Sequence, residues 1–375
     1  MTQRERYIRC VLRLPIDRVP FFPLFGPWHE TMQRWKEESS VGEGSWYDGH
    51  GYDSMVHSVY ALNANDGPIN AFYNPPYVPE VLEEKDGKQI VRDYLGIICE
   101  IVPGKSGIPR IIKNPVSNLE DWLQLKHSRL NPDDPDRYSK NWGDIVKKYN
   151  EGDFPVQIGA FPWGLFGSLR DLMGAENALI AFYDNPALVH TIMDDLTDFW
   201  LSLNERICRD IRVDAIHIWE DMSGKTGSLL SPDMVEEFML PRYRRIKRFA
   251  DEHGIPVLSV DTDGNCEKLI PLFESAGVNL MFPFEVAAGC DVVSLHSKYP
   301  NIAFQGGINK MALAEGKEAI DEELLRIEPL LSQTGYMPCL DHAIPPKVSY
   351  ENYCYYTKRL RELIFKHKRV MVDEQ

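Results

Sequence analysis

Polar side chains that could carry acid–base or metal chemistry follow five short apolar runs in the latter half of the chain. The runs are VDAIHIW, PVLSV, NLMFPF, NIAFQGG and YMPCL. The polar residues in or just after them are His217, Glu220, Asp221, Asp261, Asp263, Glu285, Gln305, Asn309, Asp341 and His342. If the runs are parallel strands, their carboxyl ends share one face, where α/β enzymes hold their active sites. The pattern therefore predicts a site rich in carboxylates and histidine.

These residues also have structural interpretations. Asp263 begins an Asp-Gly turn and could simply cap the next helix, whereas Asp261, one pleat earlier on the same side, is harder to explain by capping. Glu220 and Asp221 could pair with a nearby lysine or cap a turn. We nevertheless predict catalytic roles, as acids or bases, for Glu220, Asp221 and Glu285.

Aromatic residues make up 11% of the chain, and several fall where the mouth of a barrel is expected. Together with the carboxylates they suit an apolar organic substrate of moderate size. The predicted substrate-binding residues are Phe25, Trp28, Phe161, Trp163, Phe284 and Asn309. His217 and Cys339 lie inside predicted strands, so we interpret both as packed core residues.

The elements that must position these residues are read from periodicity. From about residue 153 onward, apolar runs alternate with amphipathic helical segments, which is typical of βαβ units and a parallel sheet. Asn185-Pro186 predicts a helix start, and Pro241 should kink or divide a later helix. An open doubly wound sheet is the alternative architecture, but no GxGxxG or P-loop motif supports it.

The N-terminal part has a different pattern. VPFFPLFG, residues 19–26, predicts a buried first strand, and residues 62–125 predict an irregular β-rich insertion near the barrel mouth. A 375-residue chain with 43% hydrophobic residues has room for such a fold. We therefore predict an α/β fold, a (β/α)8 TIM barrel with a β-rich N-terminal insertion, as a single domain over residues 1–375.

The net charge of -15 disfavours nucleic acid and anionic membranes as partners. The start, MTQRERYIRC, has no apolar signal region, and the longest uncharged stretch, residues 154–169, is too short and broken to span a bilayer. The seven widely spaced cysteines are interpreted as free thiols. These observations predict a cytoplasmic protein.

The chain resembles the uroporphyrinogen decarboxylase-like superfamily over nearly its whole length. The segments that carry the resemblance are IWEDMSGKTGSLLSPDMVEEFMLPRYRRI, VDTDGNCEKLIPLFESAGVNLMFPFEVAAGCD, FQGGINKMAL and LDHAIPPKVSYENY. True uroporphyrinogen decarboxylases carry an arginine-bearing MRQAGR motif near the N-terminus. The corresponding stretch here, FFPLFGPWHET, has no arginine. The resemblance therefore implies the other branch, the corrinoid-dependent methyltransferases.

That branch implies a small methyl donor of the methylamine, methanol, thiol or methoxyaryl type and a partner protein that carries methylcobalamin or another corrinoid. The aromatic content favours a methoxylated aromatic and O-demethylation, and a methylated amine donor or a pterin acceptor stays open. Some members bind zinc through His-x-Cys and a later Cys. By position these ligands fall on Asp261, Asp263 and His342, which implies a zinc site without thiolates. Alternatively, no metal binds and the carboxylates act directly as general acids. Related barrels often dimerise, so a homodimer is a further expectation.

Two other functions stay open from the sequence. A metal-free decarboxylase or lyase acting on a small organic acid would need arginines such as Arg92, Arg110 or Arg170 to converge at the mouth. A non-catalytic ligand-binding barrel would use Asp261 and His342 for affinity alone.

Overall fold

A computed structural model describes residues 1–39, 45–61, 68–104, 109–161 and 163–369. The predicted insertion is therefore described apart from residues 62–67 and 105–108, which lie outside these ranges. No helix in the described ranges is long and apolar enough to cross a membrane. That the chain forms a single domain stays a prediction.

The strands are short, and seven of those in the described residues lie in one parallel sheet. In chain order they are β1 His57–Ser58, β2 Tyr60–Ala61, β3 Ile69–Asn70, β4 Glu80–Lys85, β5 Lys88–Arg92, β6 Ile98–Ile101, β7 Arg110–Lys113, β8 Val156–Gly159, β9 Ala215–Trp219, β10 Ser223–Gly224, β11 Gly227–Ser228, β12 Val257–Asp261, β13 Leu280–Phe282, β14 Ala303–Ile308 and β15 Tyr336–Leu340. The main sheet has seven strands in the order β1-β8-β9-β12-β13-β14-β15, all parallel. The predicted α/β barrel class is confirmed.

The predicted first strand is wrong as a strand, because residues 19–26 are extended without forming a ladder. The segment nevertheless hydrogen-bonds to the chain that precedes edge strand β1 and to the chain that follows edge strand β15. The Asp53 amide donates to the Phe21 carbonyl at 2.7 Å on one side, and the Ile344 amide donates to the Gly26 carbonyl at 3.1 Å on the other. Pro20 and Pro23 have no N–H to donate, so a continuous ladder cannot form here.

Helices cover the outside of this sheet. They are α1 Gln3–Val11, α2 His29–Glu38, α3 Leu119–Arg129, α4 Trp142–Glu151, α5 Phe166–Met173, α6 Ala175–Asp184, α7 Pro186–Asp210, α8 Pro232–Met234, α9 Leu240–Glu252, α10 Ile270–Ser275, α11 Val292–Lys298, α12 Ala312–Glu315, α13 Lys317–Ile327 and α14 Tyr350–Lys366. Asn185 caps α7 by accepting from the Leu188 amide, as predicted. The predicted break at Pro241 is also confirmed, since a π-helical turn separates α8 from α9.

The β-rich insertion is confirmed as a four-stranded antiparallel sheet in the order β4-β5-β6-β7. Its buried face forms a small cluster of its own around Phe72, Leu95, Ile97 and Cys99. The Phe72 ring lies 6.4 Å from the ring of Phe161, which follows the carboxyl end of β8. The insertion therefore contacts the barrel at the end where the polar residues were predicted.

Candidate active site

Strand register decides which side chains face the barrel interior. His217 of β9 pairs with Ser259 of β12, and one pleat further along Trp219 pairs with Asp261. Residues two apart on a strand point to the same face, so all four share one side of the sheet. A cavity of about 420 Å³ opens on this side. The strand and mouth residues that line it include Phe25, Gln157, Phe161, His217, Trp219, Asp261, Phe282 and Gln305.

Asp261 is the acidic residue of this cavity. Its carboxylate accepts no hydrogen bond from any described residue, although its carbonyl accepts from the Glu220 amide at 2.9 Å. Burial, helped by the nearby negative charge of Asp263 and Asp221, raises the pKa of Asp261 well above 3.8. Asp261 is therefore set up to hold a proton inside an aromatic-lined cavity.

Asp263 and His342, two of the predicted zinc ligands, pair with each other. His342 Nε2 lies 3.4 Å from Asp263 Oδ2, and each side chain is about 30% exposed, at 30% and 31% respectively. The Asp263 carboxylate raises the pKa of His342 above 6.5. The Phe25 ring stacks on the imidazole with centroids 4.7 Å apart. The pair therefore lies at the mouth, next to the cavity.

Glu285 belongs to a neighbouring polar group that includes Lys310, a residue that the sequence analysis missed. Lys310 Nζ lies 3.1 Å from Glu285 Oε1 and 3.6 Å from Asp341 Oδ1. The other Glu285 oxygen accepts from the Gly264 amide at 3.1 Å. Gly264 has a φ of +70°, and a side chain there would meet backbone oxygens at 2.6 Å. Glu285 thus holds the turn that carries Asp263.

Glu220 is fully buried and uses both oxygens within the protein. It accepts from the backbone amides of Leu165, Phe166 and Gly167 at 3.1, 2.7 and 3.1 Å, and from the Tyr243 hydroxyl at 2.6 Å. These amides open α5, so the carboxylate caps the N-terminus of that helix. Burial raises the pKa of Glu220 to about 7. The contacts favour a positioning role over direct contact with substrate.

Asp221 pairs with Arg170, whose Nη2 lies 2.5 Å from Asp221 Oδ2. The Arg170 guanidinium also lies over the Trp219 ring, 5.2 Å from its centroid. Trp219 in turn makes an edge contact with Phe161 at 4.6 Å. Asp221 therefore supports the aromatic wall of the cavity through Arg170.

The predicted substrate-binding residues divide between the cavity and other places. Phe25 and Phe161 line the cavity. Trp163 is buried and packs on Phe199 at 5.2 Å, while Trp28 is exposed just before α2. Two members of the predicted set therefore face the cavity, and these two tryptophans do not line it.

Phe284 and Asn309 are also held away from the cavity. Phe284 has a φ of +57° and is fully buried, with its ring 4.8 Å from that of Phe304. Asn309 Oδ1 accepts from the Met311 amide at 2.9 Å, so its side chain closes a local turn.

Among the lining residues that the sequence does not predict are Gln157, His217 and Trp219, together with Gln305, which the sequence marks only as a polar strand-end residue. The available signal was alternation: His217 and Trp219 are two residues apart on one strand, which places both on the face that Asp261 shares. The apolar run around His217 predicts a core residue. The His217 side chain is buried, and it forms part of the cavity wall and not of the packed core.

The predicted zinc set does not gain support from the geometry. Across the described residues, no group of three or more His, Cys, Asp or Glu side chains is placed to hold a metal ion. Asp263 and His342 are paired with each other, and the raised pKa of Asp261 favours a neutral acid where a ligand would be anionic. The residues present therefore do not fit zinc.

Comparison with known proteins agrees with the fold. The model of the family "Uroporphyrinogen decarboxylase (URO-D)" matches residues 90–363. The uroporphyrinogen decarboxylase of Geobacter metallireducens is 25% identical over 267 residues, which cover 69% of this chain and 73% of that protein. The enzyme of the same name from Campylobacter jejuni is 26% identical over 265 residues, covering 67% of this chain and 72% of the relative.

A solved structure is similar over almost the full length. A methyltransferase from Methanosarcina mazei superposes with a TM-score of 0.58 at 16% identity, covering 96% of this chain and 99% of that chain. At this level of identity the likeness shows a shared fold.

Proposed function

This chain belongs to the uroporphyrinogen decarboxylase (URO-D) family, and from that premise we propose that it is a methyltransferase. In this proposal it moves a methyl group between a small methylated donor, a methoxylated aromatic, and a corrinoid carried by a partner protein. The similar fold of a protein named as a methyltransferase supports this choice within the family.

The observation that carries the proposal is the Asp261 carboxyl group. It lacks a hydrogen-bond partner among the described residues, its pKa is raised by burial, and it borders a cavity with aromatic walls. An aryl methyl ether has an apolar ring for such walls and a weakly basic oxygen that needs a proton to leave. A protonated carboxyl group can supply that proton.

The proposed reaction is general-acid catalysis, in which Asp261 protonates the leaving ether oxygen. Asp261 donates its proton to the ether oxygen while the bond from that oxygen to the methyl carbon breaks, and the bonding electrons stay on oxygen. The products at the protein are a phenol and an ionised Asp261. The partner's corrinoid, when bound, supplies the nucleophile that accepts the methyl group.

Neighbouring residues would act by position and charge. The negative charge of Asp263, held by His342, opposes ionisation of Asp261 and so keeps it protonated. Glu285 fixes the Gly264 turn beside it. Glu220 and Asp221, predicted as catalytic from the sequence, are proposed as positioning residues because their oxygens already bind protein groups.

Decarboxylation of a polyacid is less favoured by the same cavity. None of the described residues that line it is a lysine or arginine, so substrate carboxylates would have no cation to pair with. The three arginines that such a reaction could recruit, Arg92, Arg110 and Arg170, each lie beside an acidic side chain instead.

The test is methyl transfer from methoxylated aromatics to free cob(I)alamin, followed by its visible spectrum and by chromatography of the phenol. Asp261→Asn should lower the rate by about 100-fold or more, because the amide cannot donate the proton as an acid. A matched Asp263→Asn variant, which keeps the acid, should lose less. Demethylation that Asp261→Asn leaves unchanged would refute the assignment of Asp261, and release of carbon dioxide from an organic acid would favour the lyase.

A further inference from the structure

His217 is a buried histidine at the cavity that the proton-delivery step above does not use. It is 5% exposed, and its ring stacks on Phe282 with centroids 4.8 Å apart. Its Nδ1 lies 3.1 Å from the Ser259 hydroxyl oxygen. Its other ring nitrogen, Nε2, has no hydrogen-bond partner in the part of the chain that the structure describes. Burial lowers the pKa of His217 to about 3, which leaves the imidazole neutral.

The Ser259 hydroxyl decides which nitrogen carries the proton. A hydroxyl has one hydrogen to donate, and Ser259 donates it to the Ile216 carbonyl at 3.2 Å. A carbonyl can only accept, so both contacts of the hydroxyl form together only if it accepts from His217, and on this ground we assign the imidazole hydrogen to Nδ1. In this neutral tautomer Nε2 is a hydrogen-bond acceptor.

His217 lines the cavity, so a molecule that fills the cavity excludes water from Nε2 and must supply a donor of its own to avoid leaving that acceptor unsatisfied. Gln157 and Gln305, which also line the cavity, are neutral amides that tolerate either a donor or an acceptor. A carboxylate or phosphate would bring only acceptor oxygens and a negative charge, which His217 Nε2 cannot satisfy. The set therefore selects a neutral group with an O–H or N–H.

We propose that His217 is a specificity-determining residue that accepts a hydrogen bond from a hydroxyl group on the aromatic substrate. This inference rests on the proposed function, since it takes the methoxylated ring as given and adds a phenolic hydroxyl to it. The substrate class becomes a methoxyphenol.

The register also orients that ring. His217 lies one pleat deeper than Asp261, because Ser259 pairs with His217 and Asp261 pairs with Trp219. Two residues of a parallel strand span roughly 7 Å. A hydroxyl at His217 and an ether oxygen at Asp261 therefore belong at opposite ends of the ring, with the methyl group toward the mouth.

The experiment compares the binding of 4-methoxyphenol and 1,4-dimethoxybenzene to the purified full-length protein by calorimetry, without corrinoid. The two probes differ at one oxygen, which carries a hydrogen in the phenol and a methyl group in the diether. The wild type should bind the phenol about tenfold more tightly, the effect of one buried acceptor being satisfied. Equal affinities in the wild type would overturn the inference.

Two variants locate the acceptor. His217→Phe keeps an aromatic ring against Phe282 but removes the acceptor nitrogen Nε2. The ratio of the two affinities should therefore fall from tenfold to about twofold or less. Ser259→Ala keeps the imidazole but removes the hydroxyl that holds the hydrogen on Nδ1, so either ring nitrogen can carry it. The preference for the phenol should therefore fall by a smaller factor than in His217→Phe. Ser275→Ala, on the exposed face of α10, is the matched control and should leave the tenfold ratio intact.

The outcomes separate this inference from the proposed function. A tenfold preference that survives in His217→Phe would place the acceptor elsewhere and overturn the role of His217. Methyl transfer that fails while the preference and its loss in His217→Phe are observed would sink the proposed reaction and keep the binding assignment. If His217→Phe does not fold, the wild-type ratio and the Ser259→Ala ratio still decide the matter.

Discussion

The ends of β9 and β12 lie side by side and carry carboxylates with opposite environments. Glu220, after β9, accepts four hydrogen bonds from protein groups. Asp261, at the end of β12, accepts none from a described side chain or amide and borders the cavity. Burial raises the pKa of both. The difference teaches that a strand-end position and a raised pKa do not identify a reactive acid, since the hydrogen bonds around the carboxylate decide its role.

The largest expected effect on folding is at Glu220. Replacing it with alanine leaves three amides and the Tyr243 hydroxyl without their acceptor, so the free energy of unfolding should fall by about 3 kcal/mol or more. Tyr243→Phe removes one of these bonds and should cost about 1 kcal/mol. Urea unfolding measures both, and a Glu220→Ala loss no larger than that of Tyr243→Phe would contradict the capping role.

Asp261 should behave in the opposite way. Its folded pKa lies above 3.8, so ionisation disfavours the fold at neutral pH. Asp261→Asn should therefore raise the free energy of unfolding at about pH 7 by on the order of 1 kcal/mol. The gain should shrink as the pH falls below the raised folded pKa and vanish below 3.8, where both states are protonated. A variant less stable than the wild type at neutral pH would show that Asp261 is bound within the fold as Glu220 is.

The smallest effect is expected for the Asp263–His342 pair, because this pair is bonded within the protein, as Glu220 is, but lies next to the cavity, as Asp261 does. The folded pKa of His342 is raised above 6.5, so its contribution to stability is fully present below 6.5 and is lost as the pH rises through the folded pKa. Because the pair is partly exposed, His342→Asn should lower stability by less than about 1 kcal/mol near pH 6. Urea titrations at about pH 6 and about pH 9 test the sign, and a larger loss at the higher pH would refute the ion pair.

The site was predicted in part because parallel strands bring their carboxyl ends together. Alternation placed Asp261 and Asp263 on one side, and the strand order brought His342 beside them. Alternation could not find Lys310, since the partner of a flexible side chain depends on which loop lies opposite. It also could not show that Phe284, at a positive φ, turns its ring into the packed layer.

The sequence by itself determined the barrel class, the β-rich insertion, the helix start at Asn185 and the break at Pro241, because each follows from periodicity or from the chemistry of one residue. Only the tertiary structure decided that residues 19–26 hydrogen-bond to the chain next to both edge strands without a ladder, and that Glu220 is bound while Asp261 is open to the cavity. Those outcomes depend on hydrogen-bond donors and cavity-lining side chains that come from segments far apart in the chain. Local pattern carries no information about such distant partners.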